Sequence, residues 1–382
     1  MPARGHPIRT PVFFLLFLTL TPGLCAQEPP GAELPVHEHT LANGLRLFIL
    51  PRPGAPTVSF VVQYRIGSVN EGLGETGTAH FLEHLFFKGT TSVGTETPSR
   101  ELPLFREMDV LQDSILALEG GAPTDTAHIL ALRGRIRELE EAASEFVKSN
   151  EFDAILSTNG ARSLNATTSA EATTYFVELP SNRAQLWFPL EADRIVNPVF
   201  REFFTERDVV AEERRMRTET NPAGMLYEAH LASAFHAHPY GRPVVGYMHD
   251  IQRLTRPGVE AFFREYYGPN NAVLAVVGDV DPKQILEWAR EYLEPIPAGR
   301  EAPLVREKEP EQRGERRVEV VFDAEPILRI GWKVPPATHE DTPALDMLTS
   351  ILTGGRPSRL YRRLVREDRS ASSVVSSIGP GQ

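Results

Sequence analysis

Cysteine is almost missing from this chain. Its 382 residues contain one, Cys25, and that one lies in a leader-like N-terminus, so a disulfide framework and a cysteine nucleophile are both excluded for the mature protein. An excess of basic charge is also missing. Forty Lys and Arg residues against 51 Asp and Glu give a formal net charge of −11, which excludes the positive footprint of a nucleic-acid binder. No apolar run is long enough to stay in a bilayer as a helix: Val12-Phe13-Phe14-Leu15-Leu16-Phe17-Leu18 is too short. Nor is there a phosphate-binding loop, since Gly354-Gly355 lacks the required lysine and spacing.

What is present fits an exported globular protein. Arg4 and Arg9 precede the short apolar run, and small residues follow it, so residues 1–26 read as a secretion signal cleaved between Gly23 and Gln27. Lipidation at Cys25 is the alternative, although Leu24 is a poor neighbour for it. Removing residues 1–26 takes away Arg4 and Arg9 and no acidic residue, moving the net charge from −11 to −13. A periplasmic or extracellular location follows, with no stable membrane span after cleavage. Apolar content of 41% supports a packed core, and the length suits two domains.

The most informative stretch is His80-Phe81-Leu82-Glu83-His84, which reads H-x-x-E-H. On a helix, residues four apart share a face. His80 and His84 can then aim two imidazoles at one metal ion, and Glu83 can reach a water on that ion as a general base. The competing reading is a surface helix with two solvated histidines. A catalytic zinc usually keeps three protein ligands, and the segment Thr205 to Met216 offers the third. Glu206 and Glu213 are seven apart and share a helical face, whereas Glu212 points about 120° away. One of the pair ligates while the other supports the site, or the segment is simply a charged, solvated helix.

At this point the chain resembles the pitrilysin and insulinase family of inverted-motif zinc metallopeptidases, which includes the processing peptidases. Gly77 to Thr90 resembles the family's zinc helix, and Gly160 to Ser169 its substrate-binding strand. Glu206 to Glu213 resembles the helix of the third ligand. His238-Pro239-Tyr240-Gly241, Tyr267-Gly268-Pro269-Asn270-Asn271 and Val276 to Val280 match later landmarks. The resemblance runs from about Val36 to the end. It implies one Zn2+ per chain, held by His80, His84 and Glu213. It further implies Glu83 as the catalytic base and Glu206 as a second acidic residue that assists without binding metal. Leu164, Asn165, Ala166 and Thr167 are implied as substrate-binding residues on an exposed edge strand, to which a peptide substrate adds as a further strand. Asn165-Ala166-Thr167 also spells a glycosylation sequon, the competing reading for that stretch.

The fold implied is α+β: a two-layer roll with a mostly antiparallel sheet packed on helices. Strands are expected at Leu45–Leu50, Thr57–Arg65, Thr173–Leu179 and Ala272–Gly278, and helices at Leu186–Val196, Gly224–His236, Gly258–Tyr266 and from Pro282 to Tyr292 with Asp281 as cap. The gap from His84 to Glu213 is longer than in compact members of the class. Residues 99–149 fill it with two apolar stripes flanking Gly120-Gly121, read as an inserted αα-hairpin that packs on itself rather than as a substrate gate. We place the catalytic domain at 36–295 and a Pro-, Glu- and Arg-rich linker at 296–314. The start of a second, similar and incomplete domain falls at 315–382, with strands at Arg317–Phe322 and Leu328–Lys333 and a helix near Ala344–Leu352. A homologous second half or a partner subunit is therefore an expected partner. The rival function is a non-catalytic, peptide-binding subunit of a two-chain peptidase. His37, His39, His128 and His249 read as solvated, and His238 as a local cap.

Overall fold

A computed structural model describes residues 34–121 and 125–379. The expected signal at 1–26 and Cys25 lie outside the described residues. The body from Val36 onward forms one compact unit. In chain order it opens with strands β1 (His37–Thr40), β2 (Arg46–Pro51) and β3 (Thr57–Tyr64), followed by helix α1 (Thr78–Leu85). Helices α2 (Pro98–Glu119), α3 (Thr126–Ser144) and α4 (Glu151–Thr158) come next, then strands β4 (Arg162–Thr168) and β5 (Thr173–Pro180). Helices α5 (Ala184–Val196), α6 (Phe203–Arg214), α7 (Pro222–Ala234), α8 (Met248–Ile251) and α9 (Arg256–Tyr266) lead to strand β6 (Ala272–Gly278). Helices α10 (Pro282–Trp288) and α11 (Thr342–Thr353) complete the set.

The six strands make one open sheet in the order β1-β2-β6-β3-β5-β4. Only β2 and β6 run parallel; the other neighbours are antiparallel. The alternation in the sequence explains the layering. Val58, Phe60, Val62 and Tyr64 of β3 are buried, as are Tyr175, Val177 and Leu179 of β5 and Leu274 and Val276 of β6. Phe60 sits in register with Val177 and Val276. It stacks on Trp187 of α5 at 4.6 Å and meets Phe188 edge-on at 5.8 Å. Burying each such side chain contributes roughly 1.5–3 kcal/mol, so this contact fixes the helical layer to the sheet. β4 ends the order, and among the described residues it pairs only with β5.

Helices α2 and α3 form the expected hairpin, with Asp125 capping α3 by accepting from the His128 N–H at 3.0 Å. It does not pack only on itself. Arg201, fully buried, forms a two-pronged ion pair with Glu101 of α2 at 2.7 and 3.1 Å. Arg256 pairs with Asp109 of α2, and Arg253 with Glu119 at 2.5 Å. The N–H groups of Phe204 and Thr205 donate to Glu140 of α3. These charged contacts, invisible to an apolar stripe, anchor the hairpin to the start of α6 and to the start of α9.

One pair of expected strands does not form. Arg317–Phe322 and Leu328–Lys333 enter no ladder among the described residues. A strand's N–H and C=O groups need a neighbouring strand, and among the described residues none lies beside them. Leu328 and Trp332 are 85% and 79% exposed. The segment is instead held by side chains: Arg316 donates to the Ser233 and Ala234 carbonyls at the end of α7, and Arg329 lies over the Tyr227 ring at 4.7 Å. The expected helix is present as α11, and a further helical stretch covers 359–367. The helix from Pro282 keeps its Asp281 cap, which accepts from the Lys283 N–H at 3.0 Å, and widens into a π turn over Ala289–Leu293.

Candidate metal centre

Helix α1 begins without a capping side chain of its own, because its N-cap is Gly77. The cap comes from Glu71. Its two carboxylate oxygens accept the N–H groups of Gly77 at 2.9 Å and Ala79 at 2.8 Å, placing a carboxylate at the positive end of the helix. Burial nonetheless pushes the Glu71 carboxyl up to about 8, against the pull of those two bonds. Gly77 must be glycine: its φ is +91°, and a Cβ there would lie 2.6 Å from the Val245 carbonyl oxygen. The loop it touches is pinned from two sides. Thr76 donates to Asp250 at 2.6 Å, and Arg214 at the end of α6 donates to the Gly246 carbonyl at 2.7 Å. One loop thus ties the start of α1 to the end of α6. Between these points Phe81 and Phe203 meet edge-to-face at 4.9 Å.

This packing brings His80, His84 and Glu213 together. His80 Nε2 lies 3.7 Å and His84 Nε2 3.5 Å from Glu213 Oε2. One ligand atom from each of the three residues falls within 4.8 Å of the others. A tetrahedral zinc with bonds of about 2.0–2.2 Å spaces its ligands about 3.3–3.5 Å apart. The donor set therefore fits zinc in type and in spacing. Glu206 lies on the other side of the His84 ring, with Oε2 3.4 Å from Nδ1. A carboxylate there fixes which imidazole nitrogen faces a metal. His80 Nδ1 is buried and has no hydrogen-bond partner among the described residues, so its ring is held by packing.

The electrostatics divide the two histidines. Burial, then the neighbouring His84, push His80 down to about 4, so it is neutral and able to ligate at neutral pH. Burial works the other way on His84 than its neighbours do, and the carboxylates of Glu206 and Glu213 win, raising it to about 9. A carboxylate thus faces each ring nitrogen of His84, Glu206 at Nδ1 and Glu213 at Nε2; a metal ion at Nε2 would take the place of the proton on that nitrogen alone. Glu213 is held below the usual carboxylate range by the hydrogen bond from His84, despite burial, with His80 and Arg217 adding to it. Arg217, one turn on, pairs with Glu213 Oε1 at 2.7 Å. For Glu83 burial raises the carboxyl, while the Thr168 hydroxyl, which donates to Oε2, opposes it.

Thr168 is the last residue of β4, which places the edge strand directly beside Glu83. Of the residues read as substrate-binding, Asn165 and Thr167 are exposed, Leu164 is half-buried and Ala166 is buried. Asn165 accepts the Ala166 N–H through its own side chain at 2.9 Å. Ser163, at φ +54°, marks an irregularity in the β4–β5 register. None of the four is joined to His80, His84 or Glu213 in the described hydrogen bonds and ion pairs. His238 caps its local turn, accepting the Tyr240 N–H at 3.2 Å. His37, His128 and His249 are exposed, and His39 is half-buried.

The sequence reading passed over Lys88, Glu71, Arg217 and the hydroxyl of Thr168. Lys88 had a signal, since His80, His84 and Lys88 recur every four residues. Glu71 had only a negative one, a helix start with glycine where a capping side chain belongs.

Two imidazoles on one helix and a carboxylate on a second, beside an edge strand, form a group that could hold a metal ion, with the two histidines spaced as in the inverted motif. The chain belongs to the insulinase family of peptidases, M16. Residues 47–102 and 141–247 match the family described as Insulinase (Peptidase family M16), and residues 253–381 match the Peptidase M16 inactive domain. It is 33% identical over 370 residues to the zinc protease PqqE of Helicobacter pylori, spanning 95% of this chain and 70% of that protein. It is 30% identical over 355 residues to the uncharacterized zinc protease Rv2782c of Mycobacterium tuberculosis, spanning 91% of this chain and 68% of that one. The crystal structure of a protease from Helicobacter pylori superposes with a TM-score of 0.70 at 31% identity, covering 90% of this chain and 71% of that one.

Proposed function

We propose that this chain is an exported zinc-dependent endopeptidase. The observation that carries the reading is the convergence of His80, His84 and Glu213, with Glu83 alongside, at the foot of an edge strand. Bound zinc supplies Lewis acidity, acidifying a water and polarising a peptide carbonyl. The remaining work falls to the chain. Glu83, its carboxyl raised by burial, takes the proton from water and hands it to the leaving amine. Glu206 holds His84 through Nδ1, so that Nε2 presents its lone pair. β4, paired on one side only, takes the peptide as an added strand, with main-chain hydrogen bonds giving affinity and side-chain pockets giving little selectivity. Leu164 to Thr167 line that addition. We assign residues 36–295 to the catalytic unit and 315–382 to the second unit. A homologous second half or partner subunit is its expected partner. Arg4, Arg9 and the apolar run after them support export.

The test is Glu83→Gln. This variant keeps zinc and loses cleavage of an internally quenched fluorogenic peptide by at least about 100-fold, within the range of a general base. A variant that cleaves at the wild-type rate removes Glu83 from the reaction. Export is checked by N-terminal sequencing of the secreted chain, which begins between Gly23 and Gln27 if the signal is cleaved.

A further inference from the structure

Lys88 is a half-buried cation beside the metal group, and the reaction as derived above does not use it. Its side chain is 17% exposed. Its Nζ lies 2.6 Å from Glu202 Oε2 and 2.5 Å from Glu206 Oε1. The two oxygens of Glu206 are therefore divided, Oε1 to Lys88 and Oε2 to His84 Nδ1 at 3.4 Å. We infer that Lys88 is a positioning residue for the metal centre: it clamps the Glu206 carboxylate so that its other oxygen sets the ring of the ligand His84. The inference rests on the zinc reading above and deepens it.

Three observations give the clamp its stiffness. Lys88 sits in the turn that follows α1, and its carbonyl accepts from buried Arg201 at 3.1 Å. The same guanidinium donates to the Val93 carbonyl at 3.2 Å and the Thr90 carbonyl at 2.6 Å, closing that turn on itself. Gly89 makes the turn possible, with φ +96° and no room for a Cβ, which would meet the Val93 oxygen at 2.3 Å. On the opposite side, Glu202 caps α6 at φ +52°, in the left-handed region that a non-glycine residue enters at a cost. That bend, with a four-residue spacing, turns Glu202 and Glu206 toward the same Nζ. Arg201 in turn is held by Glu101 of α2. A continuous path of charged contacts therefore runs from the helical hairpin through Arg201, the 88–94 turn, Lys88 and Glu206 to His84.

A charge is needed at this point for a physical reason. Glu202, Glu206 and Glu213 recur on one face of α6, and three half-buried carboxylates repel one another. A fixed cation lets Glu206 stay in place as an acceptor, where it would otherwise turn toward solvent and release His84. Lys88 makes no direct contact with the three candidate ligands in the described hydrogen bonds and ion pairs, so its effect passes through Glu206.

The experiment is zinc affinity of the full chain by chelator competition, a readout independent of peptide cleavage. Lys88→Met weakens zinc binding about 10- to 100-fold, the range for a group supporting a ligand from behind. Lys88→Arg, which keeps the cation, stays within about threefold of wild type. Glu206→Gln weakens binding by a similar factor, and Lys88→Met combined with Glu206→Gln is no weaker than Glu206→Gln alone, because both act through one contact. Should Lys88→Met be insoluble, Lys88→Gln carries the same expectation. Wild-type affinity in the neutral variant overturns the inference, as does a double variant whose losses multiply. A purely structural role lowers the thermal midpoint and leaves affinity untouched, which also overturns it. A wild-type chain that binds no zinc overturns the metal reading itself, a result distinct from either of these.

Discussion

The Thr168 hydroxyl and the Glu71 carboxylate are the two residues on which the chemistry of α1 leans most. Thr168 donates to Glu83, the base in the proposed reaction, and a hydrogen bond to a charged group is worth about 1.5–3 kcal/mol. Thr168→Val, which keeps the shape and removes the donor, lowers kcat roughly 10- to 100-fold with zinc content unchanged, and Thr168→Ser restores most of it. Steady-state kinetics with zinc analysis checks this; a loss of zinc in Thr168→Val assigns the residue to folding. Glu71 carries a pH signature. Its folded carboxyl stands at about 8 against an ordinary value of 4.5, so between those values the folded state binds more protons than the unfolded. Stability from this group is present below about pH 4.5 and is lost as pH rises toward 8. Glu71→Gln removes that slope. The melting temperature of the variant relative to wild type rises from pH 5 to pH 9, and parallel profiles contradict the assignment. At this scale the sequence exposed the His80, Glu83 and His84 triplet and the shared face of Glu206 and Glu213, because helical periodicity is local. It hid Glu71 and Thr168, whose partners lie 8 and 85 residues away in the chain.

Among the elements, the α2–α3 hairpin changes meaning between sequence and structure. Its apolar stripes were legible, and Phe105, Met108, Ile115, Ile129, Ile136 and Leu139 are indeed buried. The stripes describe how α2 meets α3 and say nothing of the outward charges that bind the pair to the starts of α6 and α9. Arg201 is 1% and Glu101 0% exposed at the side chain. Removing one partner strands a buried charge, at a cost of about 3–5 kcal/mol. Glu101→Ala therefore destabilises the chain by about that amount in denaturant titration, whereas an ornamental hairpin predicts a change under about 1 kcal/mol. The failure at Arg317–Phe322 and Leu328–Lys333 has a related cause. Alternation shows that a segment can be a strand, but a ladder needs a neighbour, and neighbours are not written locally. β3, β5 and β6 succeeded because each is flanked on both sides within the same sheet.

For the molecule as a whole, the interface of α1 with α6 brings the metal group together, and Thr168 of β4 ties it to the sheet. Zinc that binds only the folded chain stabilises it by mass action, about 2.7 kcal/mol at a free concentration 100 times Kd. Thermal unfolding with added zinc and with a chelator checks this: the midpoint rises with zinc and falls with chelator in wild type, and the response is absent in His80→Ala. The order of landmarks along the chain made the family legible from sequence. The depth of Glu213 relative to the two imidazoles did not follow from that order; it depends on Gly77 meeting the loop at Gly246 and on Arg214 gripping the same loop, contacts between residues far apart in sequence. The most direct measurement is anomalous diffraction at the zinc edge from crystals of the full chain. The account predicts one peak bonded to His80 Nε2, His84 Nε2 and a Glu213 oxygen, with Glu206 behind His84 and off the metal. A peak that includes Glu206 and excludes Glu213, or no peak near these residues, contradicts it.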